Sequence, residues 1–336
     1  MRALVIISSL LFATVAHAQD LLDNIKKRGH IYCAVNNEAY GFAYPDKDGT
    51  SKGFAVDLCR GLAVAVFNDP DKARILHLIS RDQIPHVASG NSDVNIRTLE
   101  WTMHRDSFLG ISFVAPFFYD TQRMAVKKGL NIKQPQDLDG ATVCINQGNN
   151  TEVGITDWFR SHNIKYQPVT YGDPQSTLDA FKMGRCDVFT QDSFLLTAEL
   201  SKLDGQIDYE ILPYDVNVRT YGIAVKKSEY AWENVVKWAM TTLIYAEELG
   251  ITKANVRELA ANSKDPYIRR VLGTEGNYYQ NLGLDKDWAI NLIEYTGNYG
   301  ELFNKHFGKS TAINWPDRHL NRLCKDQGRL CPVPLY

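Results

Sequence analysis

The sequence predicts an α/β protein built as two similar lobes that are joined by two hinge strands. Short apolar runs alternate with helix-like segments, an order typical of parallel sheets covered by helices. Two local patterns also recur in the same order. Residues 90–94 and 184–188 share Gly-x-x-Asp-Val, and residues 125–128 and 224–227 both read Ala-Val-Lys-Lys. Two recurrences in one order indicate two halves with the same architecture.

The individual elements follow from apolar spacing and from end signals. Each Gly-x-x-Asp-Val pattern is typical of a helix that ends at glycine and is followed by a strand. Apolar runs predict strands at residues 31–35, 141–145 and 188–190. Helical spacing predicts helices at residues 53–67, 151–161, 176–183, 193–200, 232–248 and 287–307. The last two carry apolar stripes typical of core-facing helices, so we assign them to the first lobe.

The two Ala-Val-Lys-Lys segments predict the boundaries of the lobes. Segment 121–127 would leave the first lobe and segment 220–226 would return to it, enclosing a complete α/β unit. We therefore expect lobe 1 to comprise residues 19–122 and 222–336, and lobe 2 to comprise residues 123–221. Two strands that cross between lobes form a hinge, whereas two unrelated strands ending in lysine would enclose no such unit.

The N-terminus predicts export. Arg2, a short apolar run and an Ala-x-Ala site at residues 16–18 are typical of a cleavable secretory signal peptide, here residues 1–18. Removing it leaves 37 − 1 = 36 basic residues against 39 acidic ones, a net charge of −3. This balance argues against nucleic acid and anionic membrane surfaces as partners. Histidines and cysteines show no metal-ligand spacing, and no phosphate-binding or nucleotide-binding motif predicts a cofactor.

Six cysteines behind a signal peptide predict disulfides, because exported proteins meet an oxidising compartment. Sequence alone allows about 15 pairings of six cysteines. The lobe layout favours pairing within each segment, since each bridge then closes inside one folding unit. We expect structural bridges at Cys33–Cys59, Cys144–Cys186 and Cys324–Cys331.

Polar side chains follow several predicted strands, at the strand ends where open α/β sheets bind ligands. In the segment 95–106, Arg105 can clamp a carboxylate through two hydrogen bonds, or can form a structural salt bridge with Asp106. Asp192 follows the strand at 188–190, where it can accept hydrogen bonds from an ammonium group. Its alternative role is to cap the next helix.

Two loops add candidate ligand contacts. Residues 147–152, Gln-Gly-Asn-Asn-Thr-Glu, lead into a helix whose N-terminal N–H groups suit an anion. The same loop also fits ordinary capping by Asn149 and Glu152. Tyr40, after the first strand, can form a wall of the pocket or can pack against the loop.

These residues resemble the general L-amino-acid-binding periplasmic proteins of polar amino acid ABC transporters, solute-binding protein family 3. The resemblance runs from about Leu21 to the C-terminus. Its motifs are residues 53–60, Trp101-Thr102 with Arg105-Asp106, residues 184–188, residues 246–252 with Asn255-Val256, and residues 297–299 with Glu301. It implies a type II periplasmic binding protein fold, with two hinge strands and a mixed sheet flanked by helices in each lobe.

The resemblance also implies ligand contacts. Arg105 would bind the α-carboxylate and Asp192 the α-ammonium of an amino acid. Thr98 and Glu100 would face the ligand from lobe 1, and Gln147, Asn149 and Asn150 would face it from lobe 2.

Four departures from the family pattern concern the ligand and the tail. Glu100 stands where a small hydroxyl is usual, and Asn149-Asn150 stand for Thr-Thr. Glu100 would repel a ligand carboxylate unless it is protonated or paired with Arg97. The ligand could therefore carry a cationic side chain, or could be something other than a standard amino acid. The usual Lys-Glu-Pro-Leu is absent around residues 218–221. Cys324 and Cys331 replace a Trp and a Tyr, a double change that supports their pairing.

Three functions are compatible with the sequence. The first is a monomeric periplasmic receptor that delivers an amino-acid-like ligand to an inner-membrane ABC transporter permease, without cofactor or metal. The second is a dehydratase of the cyclohexadienyl type on the same fold, with Glu100 as general acid. The third is a ligand sensor with a membrane partner.

Overall fold

A computed structural model describes residues 20–37, 39–147, 150–201, 208–311, 313–315 and 318–334. The strands in this part of the chain are β1 Ile31–Asn36, β2 Tyr44–Pro45, β3 Ser51–Lys52, β4 Ala73–Leu78, β5 Val94–Asn95, β6 Ile111–Lys127, β7 Ala141–Asn146, β8 Tyr166–Tyr171, β9 Val188–Asp192, β10 Tyr209–Ile211 and β11 Asn217–Lys226. The helices are α1 Leu21–Arg28, α2 Phe54–Phe67, α3 Ser80–Ala88, α4 Met103–Phe108, α5 Asn150–Ser161, α6 Pro174–Lys182, α7 Ser193–Ser201, α8 Tyr230–Glu248, α9 Val256–Asn262, α10 Pro266–Val271, α11 Tyr278–Asn281, α12 Trp288–Thr296 and α13 Tyr299–Phe307.

Nine of the strands form one mixed sheet in the order β4-β1-β5-β11-β6-β9-β7-β8, with β10 on β6. In the first half, β1 runs parallel to β4 and β5. In the second half, β7 runs parallel to β8 and β9. The strands β6 and β11 lie between these halves and run antiparallel to their neighbours. The predicted two-lobed α/β fold with mixed sheets is therefore confirmed.

The two hinge strands are longer than the sequence pattern predicted. The expected segments 121–127 and 220–226 are the ends of β6, which begins at Ile111, and of β11, which begins at Asn217. The pairing of the two strands shifts register at Tyr221/Gly222 and again at Ile223/Ala224. A β-carbon on Gly222 would lie 2.5 Å from the Phe113 ring, so a side chain does not fit at the first shift. The exact lobe boundaries, 19–122 with 222–336 and 123–221, stay a prediction.

The repeated Gly-x-x-Asp-Val pattern has the same structural role in both halves. Gly90 and Gly184 adopt left-handed backbone angles, with φ of 79° and 74°. In the first half, Asp93 Oδ2 accepts a 2.6 Å hydrogen bond from the Tyr32 N–H of β1. In the second, Asp187 Oδ2 accepts a 2.8 Å bond from the Thr142 N–H of β7. Each aspartate thus satisfies a backbone donor near the start of the neighbouring parallel strand.

Apolar side chains pack on both faces of the sheet in each half. The largest cluster joins α2, α8, α12 and α13 to one face of the first half, and it includes Phe194 at the start of α7. A smaller cluster covers the opposite face. Two further clusters cover the faces of the second half. The predicted helical segment 287–307 is divided in two, because Gly297 has φ of 78° and Asn298 caps α13 together with Glu301.

All three predicted disulfides are confirmed: Cys33–Cys59, Cys144–Cys186 and Cys324–Cys331. The last closes a tail that binds back onto β6. There the buried Asn321 accepts a hydrogen bond from the Tyr119 N–H and donates one to the Tyr119 carbonyl, each at 2.7 Å. The tail therefore fixes the backbone of a hinge strand.

The expected signal peptide, residues 1–18, lies outside the described residues. In the described part of the chain, no helix combines the length and the apolar character that crossing a membrane requires.

Replacing Asp187 by alanine should lower the free energy of unfolding by about 1–3 kcal/mol, because the Thr142 N–H then loses its acceptor. Chemical denaturation with circular dichroism measures this change. The control is Asp208→Ala, which removes an exposed carboxylate paired with Lys128 and should cost less than about 0.5 kcal/mol. Equal losses in the two variants would contradict a structural role for the repeated aspartate.

Candidate functional site

Polar side chains converge where the hinge strands cross between the two halves of the sheet. The register places Asn217, Gln122 and Asp192 side by side on β11, β6 and β9. Glu100, in the loop after β5, forms an isolated backbone bridge with Tyr221 of β11. Strand ends from both halves and the two crossing strands therefore contribute to one cluster.

Arg219 lies at the centre of this cluster and is 3% exposed. Its Nη1 donates to Glu100 Oε2 at 2.7 Å, and its Nη2 donates to Gln122 Oε1 at 2.7 Å. Its Nε lies 3.2 Å from Asp192 Oδ1. Burying a guanidinium is costly unless it is paired and hydrogen bonded. Here Nη1 and Nη2 each donate to an acceptor, while Nε lies beside the Asp192 carboxylate without a hydrogen bond of good geometry in the described residues.

Glu100 connects the two halves through a single carboxylate oxygen. Its Oε2 accepts from Arg219 and also from the side-chain amide of Asn150, the first residue of α5. The backbone beside it is held by a 2.7 Å hydrogen bond from the Trp101 N–H to the Thr220 carbonyl. The ion pair observed for Glu100 is thus with Arg219, whereas the sequence had offered protonation or pairing with Arg97 as the two ways to offset its charge.

Asp192 is partly buried beside Arg219 and accepts a 2.6 Å hydrogen bond from the Tyr221 hydroxyl on Oδ2. Its other oxygen, Oδ1, has no hydrogen bond of good geometry within the described residues. Burial raises the pKa of Asp192, although Arg219 opposes this shift. Burial also raises the pKa of the neighbouring Asp120 well above its usual value, and the charge of Asp192 adds to that increase.

Two further arginines bring positive charge to the same place. Arg105, on α4, donates a 2.9 Å hydrogen bond to the Glu100 carbonyl. Burial lowers the pKa of Arg105, and the nearby charges of Glu100 and Arg219 also act on it. Arg97 is buried, and this burial, together with the charge of Arg105, lowers its pKa to about 9.

The remaining predicted ligand contacts are not among the residues that hydrogen bond to Arg219 or Glu100 in the described part of the chain. The Thr98 hydroxyl accepts a 3.0 Å hydrogen bond from the Asn36 side chain at the end of β1. Tyr40 is 43% exposed, and its ring packs on Tyr44 with centroids 4.7 Å apart. Gln147 is exposed in the turn after β7. Asn149 lies outside the described residues.

Sequence reasoning missed Arg219, Gln122 and Tyr221. Two signals were available: the missing family pattern around residues 218–221, and an arginine inside an otherwise uncharged strand between Asn217 and Ile223. A charged residue at a strand position that faces inward requires a buried partner, so this arginine indicated a polar site.

The arrangement is suited to binding an ion or a zwitterion, since charges of both signs lie in one partly desolvated cluster. In the described residues, no group of three or more His, Cys, Asp or Glu is placed to hold a metal ion.

A family model for bacterial extracellular solute-binding proteins, family 3, matches residues 31–309. The chain belongs to this family. The matched region includes β1 to α13 and therefore the whole cluster around Arg219.

Two relatives cover most of this family 3 chain. The glutamate/glutamine/aspartate/asparagine-binding protein BztA of Rhodobacter capsulatus is 39% identical over 298 residues, which are 89% of this chain and 88% of BztA. The general L-amino acid-binding periplasmic protein AapJ of Rhizobium johnstonii is 38% identical over 318 residues, which are 94% of this chain and 92% of AapJ. Both relatives are binding proteins by name.

A solved structure supports the same fold over nearly the full length. The periplasmic binding protein of an ABC transporter from Brucella ovis, with glutathione bound, superimposes with a TM-score of 0.86 and 35% identity. The match covers 94% of this chain and 99% of that protein.

Replacing Gly154 of α5 by alanine should disturb the cluster at Arg219. The new β-carbon would lie 2.3 Å from Gln122 Oε1 and 2.4 Å from Asn217 Nδ2, so Gln122 would have to leave Arg219. We expect the free energy of unfolding to fall by about 1–3 kcal/mol, the usual cost of overpacking.

The control is Gly172→Ala, where no atom lies within 4 Å of the added carbon. Gly154 itself lies inside α5, where alanine in place of glycine would by helix propensity alone stabilise the protein by about 0.5–1 kcal/mol. A Gly154→Ala variant that is as stable as the wild type or more stable would therefore contradict the contact with Gln122.

Proposed function

We propose that this protein captures an amino acid or amino-acid-like ligand between its two lobes and delivers it to the permease of an inner-membrane ABC transporter. In this proposal Arg105 binds the α-carboxylate and Asp192 binds the α-ammonium. Thr98, Glu100 and Tyr40 contact the ligand from lobe 1, and Gln147, Asn149 and Asn150 contact it from lobe 2.

The observation that carries the proposal is that Arg105 and Asp192 are joined to one cluster. Arg105 donates a 2.9 Å hydrogen bond to the Glu100 carbonyl, and Asp192 lies 3.2 Å from Arg219, which is itself paired with the Glu100 carboxylate at 2.7 Å. Oδ1 of Asp192 lies 3.2 Å from Arg219 Nε but makes no hydrogen bond of good geometry in the described part of the chain, so an ammonium group would share this carboxylate with Arg219. A zwitterion would satisfy an arginine and an aspartate together, because its two charges have opposite signs.

The relatives support the ligand class. BztA and AapJ are named for amino acids, and the Brucella ovis protein holds glutathione. Glutathione carries a free α-amino acid group at its γ-glutamyl end, so the same arginine and aspartate could hold it. We therefore propose amino acids and small γ-glutamyl or similar peptides as the ligands.

The remaining parts of the proposal concern the state of the protein in the cell. We propose a monomeric periplasmic protein, released by cleavage of residues 1–18, that binds without catalysing a reaction. Incubation with prephenate or arogenate should leave both compounds unchanged by mass spectrometry. Product formation would instead favour the dehydratase hypothesis.

The ligand is identified by a thermal-shift screen of the mature protein after removal of bound material by unfolding and refolding. The panel contains the standard amino acids, opines, short peptides and glutathione, and hits are measured by isothermal titration calorimetry. Stoichiometric binding of one zwitterionic compound supports the proposal. A protein that binds no member of the panel contradicts it.

Replacing Arg105 by alanine should weaken binding of the identified ligand by at least about 100-fold, because a desolvated carboxylate loses its charged partner. Calorimetry gives the dissociation constant, and thermal unfolding of the ligand-free protein shows whether the fold is intact. The matched control is Arg160→Ala, which removes an arginine whose side chain is 79% exposed and lies outside the proposed site. Wild-type affinity in Arg105→Ala would exclude this residue from the site.

Ligand affinity should also fall at acidic pH, and the fall should begin at a higher pH than it would for an aspartate with an ordinary pKa. The pKa of Asp192 lies above its usual value of 3.8, and a protonated carboxyl no longer attracts an ammonium group. Full affinity is thus expected above this raised pKa, with a loss of up to about tenfold per pH unit as the pH falls below it.

Calorimetry between pH 7 and pH 4 measures this dependence, with circular dichroism as a check of folding at each pH. The Glu100→Gln variant should retain an acid limb that moves to lower pH, because the charge of Glu100 contributes to the raised pKa of Asp192. Loss of the limb in this variant would assign it to Glu100 instead. An affinity that stays constant while the protein remains folded would contradict the assignment.

A further inference from the structure

The pairing of Glu100 with Arg219 forms a filled carboxylate site inside the proposed cleft. Two donors converge on Glu100 Oε2: the Arg219 guanidinium at 2.7 Å and the Asn150 side-chain amide. A guanidinium and an amide are the groups that proteins commonly use to hold a ligand carboxylate. Here the carboxylate that they hold belongs to the protein.

The other polar contacts of Arg219 are also occupied by this chain. Nη2 binds Gln122 Oε1 at 2.7 Å, and Nε faces Asp192 Oδ1 at 3.2 Å. With a side-chain exposure of 3%, Arg219 presents little surface to an incoming group. A ligand that needed this guanidinium would have to displace Glu100 or Asp192 from it.

Glu100 itself is less enclosed than its partner. Its side chain is 19% exposed, and Oε1 accepts no hydrogen bond within the described residues. This oxygen therefore presents a negatively charged acceptor beside the residues proposed to bind the α-amino and α-carboxyl groups. An acidic side chain placed there would meet a like charge, whereas a donor would gain a charge-assisted hydrogen bond.

We propose that Glu100, held by Arg219 and Asn150, is a specificity-determining residue that selects ligands whose side chain donates hydrogen bonds and rejects ligands with an acidic side chain. Amides, ammonium groups and guanidinium groups belong to the selected class. This inference rests on the proposed function, because it assumes that an amino acid occupies the cleft.

The test compares ligands of equal shape. L-glutamine and L-glutamate differ only in amide against carboxylate, as do L-asparagine and L-aspartate, and L-arginine and L-lysine represent cationic side chains. Their dissociation constants are measured by calorimetry for the wild type, Glu100→Gln and the exposed-surface control Glu210→Gln. In the wild type we expect the best donor-bearing ligand to bind at least tenfold more tightly than either acid.

The variants give the decisive comparison. Glu100→Gln removes the negative charge but keeps an acceptor for Arg219, so the affinity for the two acids should rise at least tenfold relative to their amides. Glu100→Thr, which supplies the small hydroxyl that the family pattern has at this position, should shift the ratio in the same direction. Glu210→Gln should leave the ratio unchanged. Thermal unfolding of each ligand-free variant identifies any that fails to fold, and either folded variant suffices for the test.

Two outcomes overturn the inference while leaving the proposed function intact. One is a wild-type protein that binds glutamate or aspartate as tightly as the matching amide. The other is a preference for amino acids with apolar side chains. If no amino acid binds to the wild type or to the variants, the proposed function fails instead, and the inference fails with it.

Discussion

The central physical constraint in this protein is a buried guanidinium that needs several acceptors at once. Arg219 lies on a hinge strand, where it has almost no contact with solvent, and it is held by Glu100, Gln122 and Asp192. Removing such a charge from water is costly, so the structure around it must supply acceptors from several elements. The loop after β5 and the strands β6 and β9 supply these acceptors.

The crossing of β6 and β11 makes this convergence possible. Both strands belong to both halves of the sheet, and their pairing shifts register between Tyr221 and Gly222. Before this shift, Arg219 pairs with Glu100 of the segment after β5, and Tyr221 donates to Asp192 at the end of β9. Because the contacts of Glu100 involve Arg219 on a hinge strand and Asn150 on α5, they depend on how the two lobes are arranged. A change in the angle between the two halves would therefore alter the contacts of Glu100.

The two halves use the same chemistry in their frameworks and different chemistry at the cleft. Asp93 and Asp187 each satisfy a backbone donor of the neighbouring parallel strand, as the shared Gly-x-x-Asp-Val pattern suggested. At the cleft, the segment after β5 supplies Arg97, Arg105 and Glu100, the hinge strand β11 supplies Arg219, and β9 supplies Asp192. This difference gives the site charges of both signs, which a zwitterionic ligand requires and a symmetric site would lack.

The sequence by itself determined the features that arise from neighbouring residues: the alternating elements, the repeated glycine and aspartate positions, and Asp192 at the end of a strand. The three disulfides followed from the cysteines together with the predicted lobe layout. The sequence did not determine the partner of Glu100, because Arg219 is 119 residues away along the chain and Gln122 is 97 residues from Arg219. Such pairs depend on which strands lie side by side and in which register. Only the tertiary structure decides this, since it follows from packing over the whole sheet rather than from local propensity.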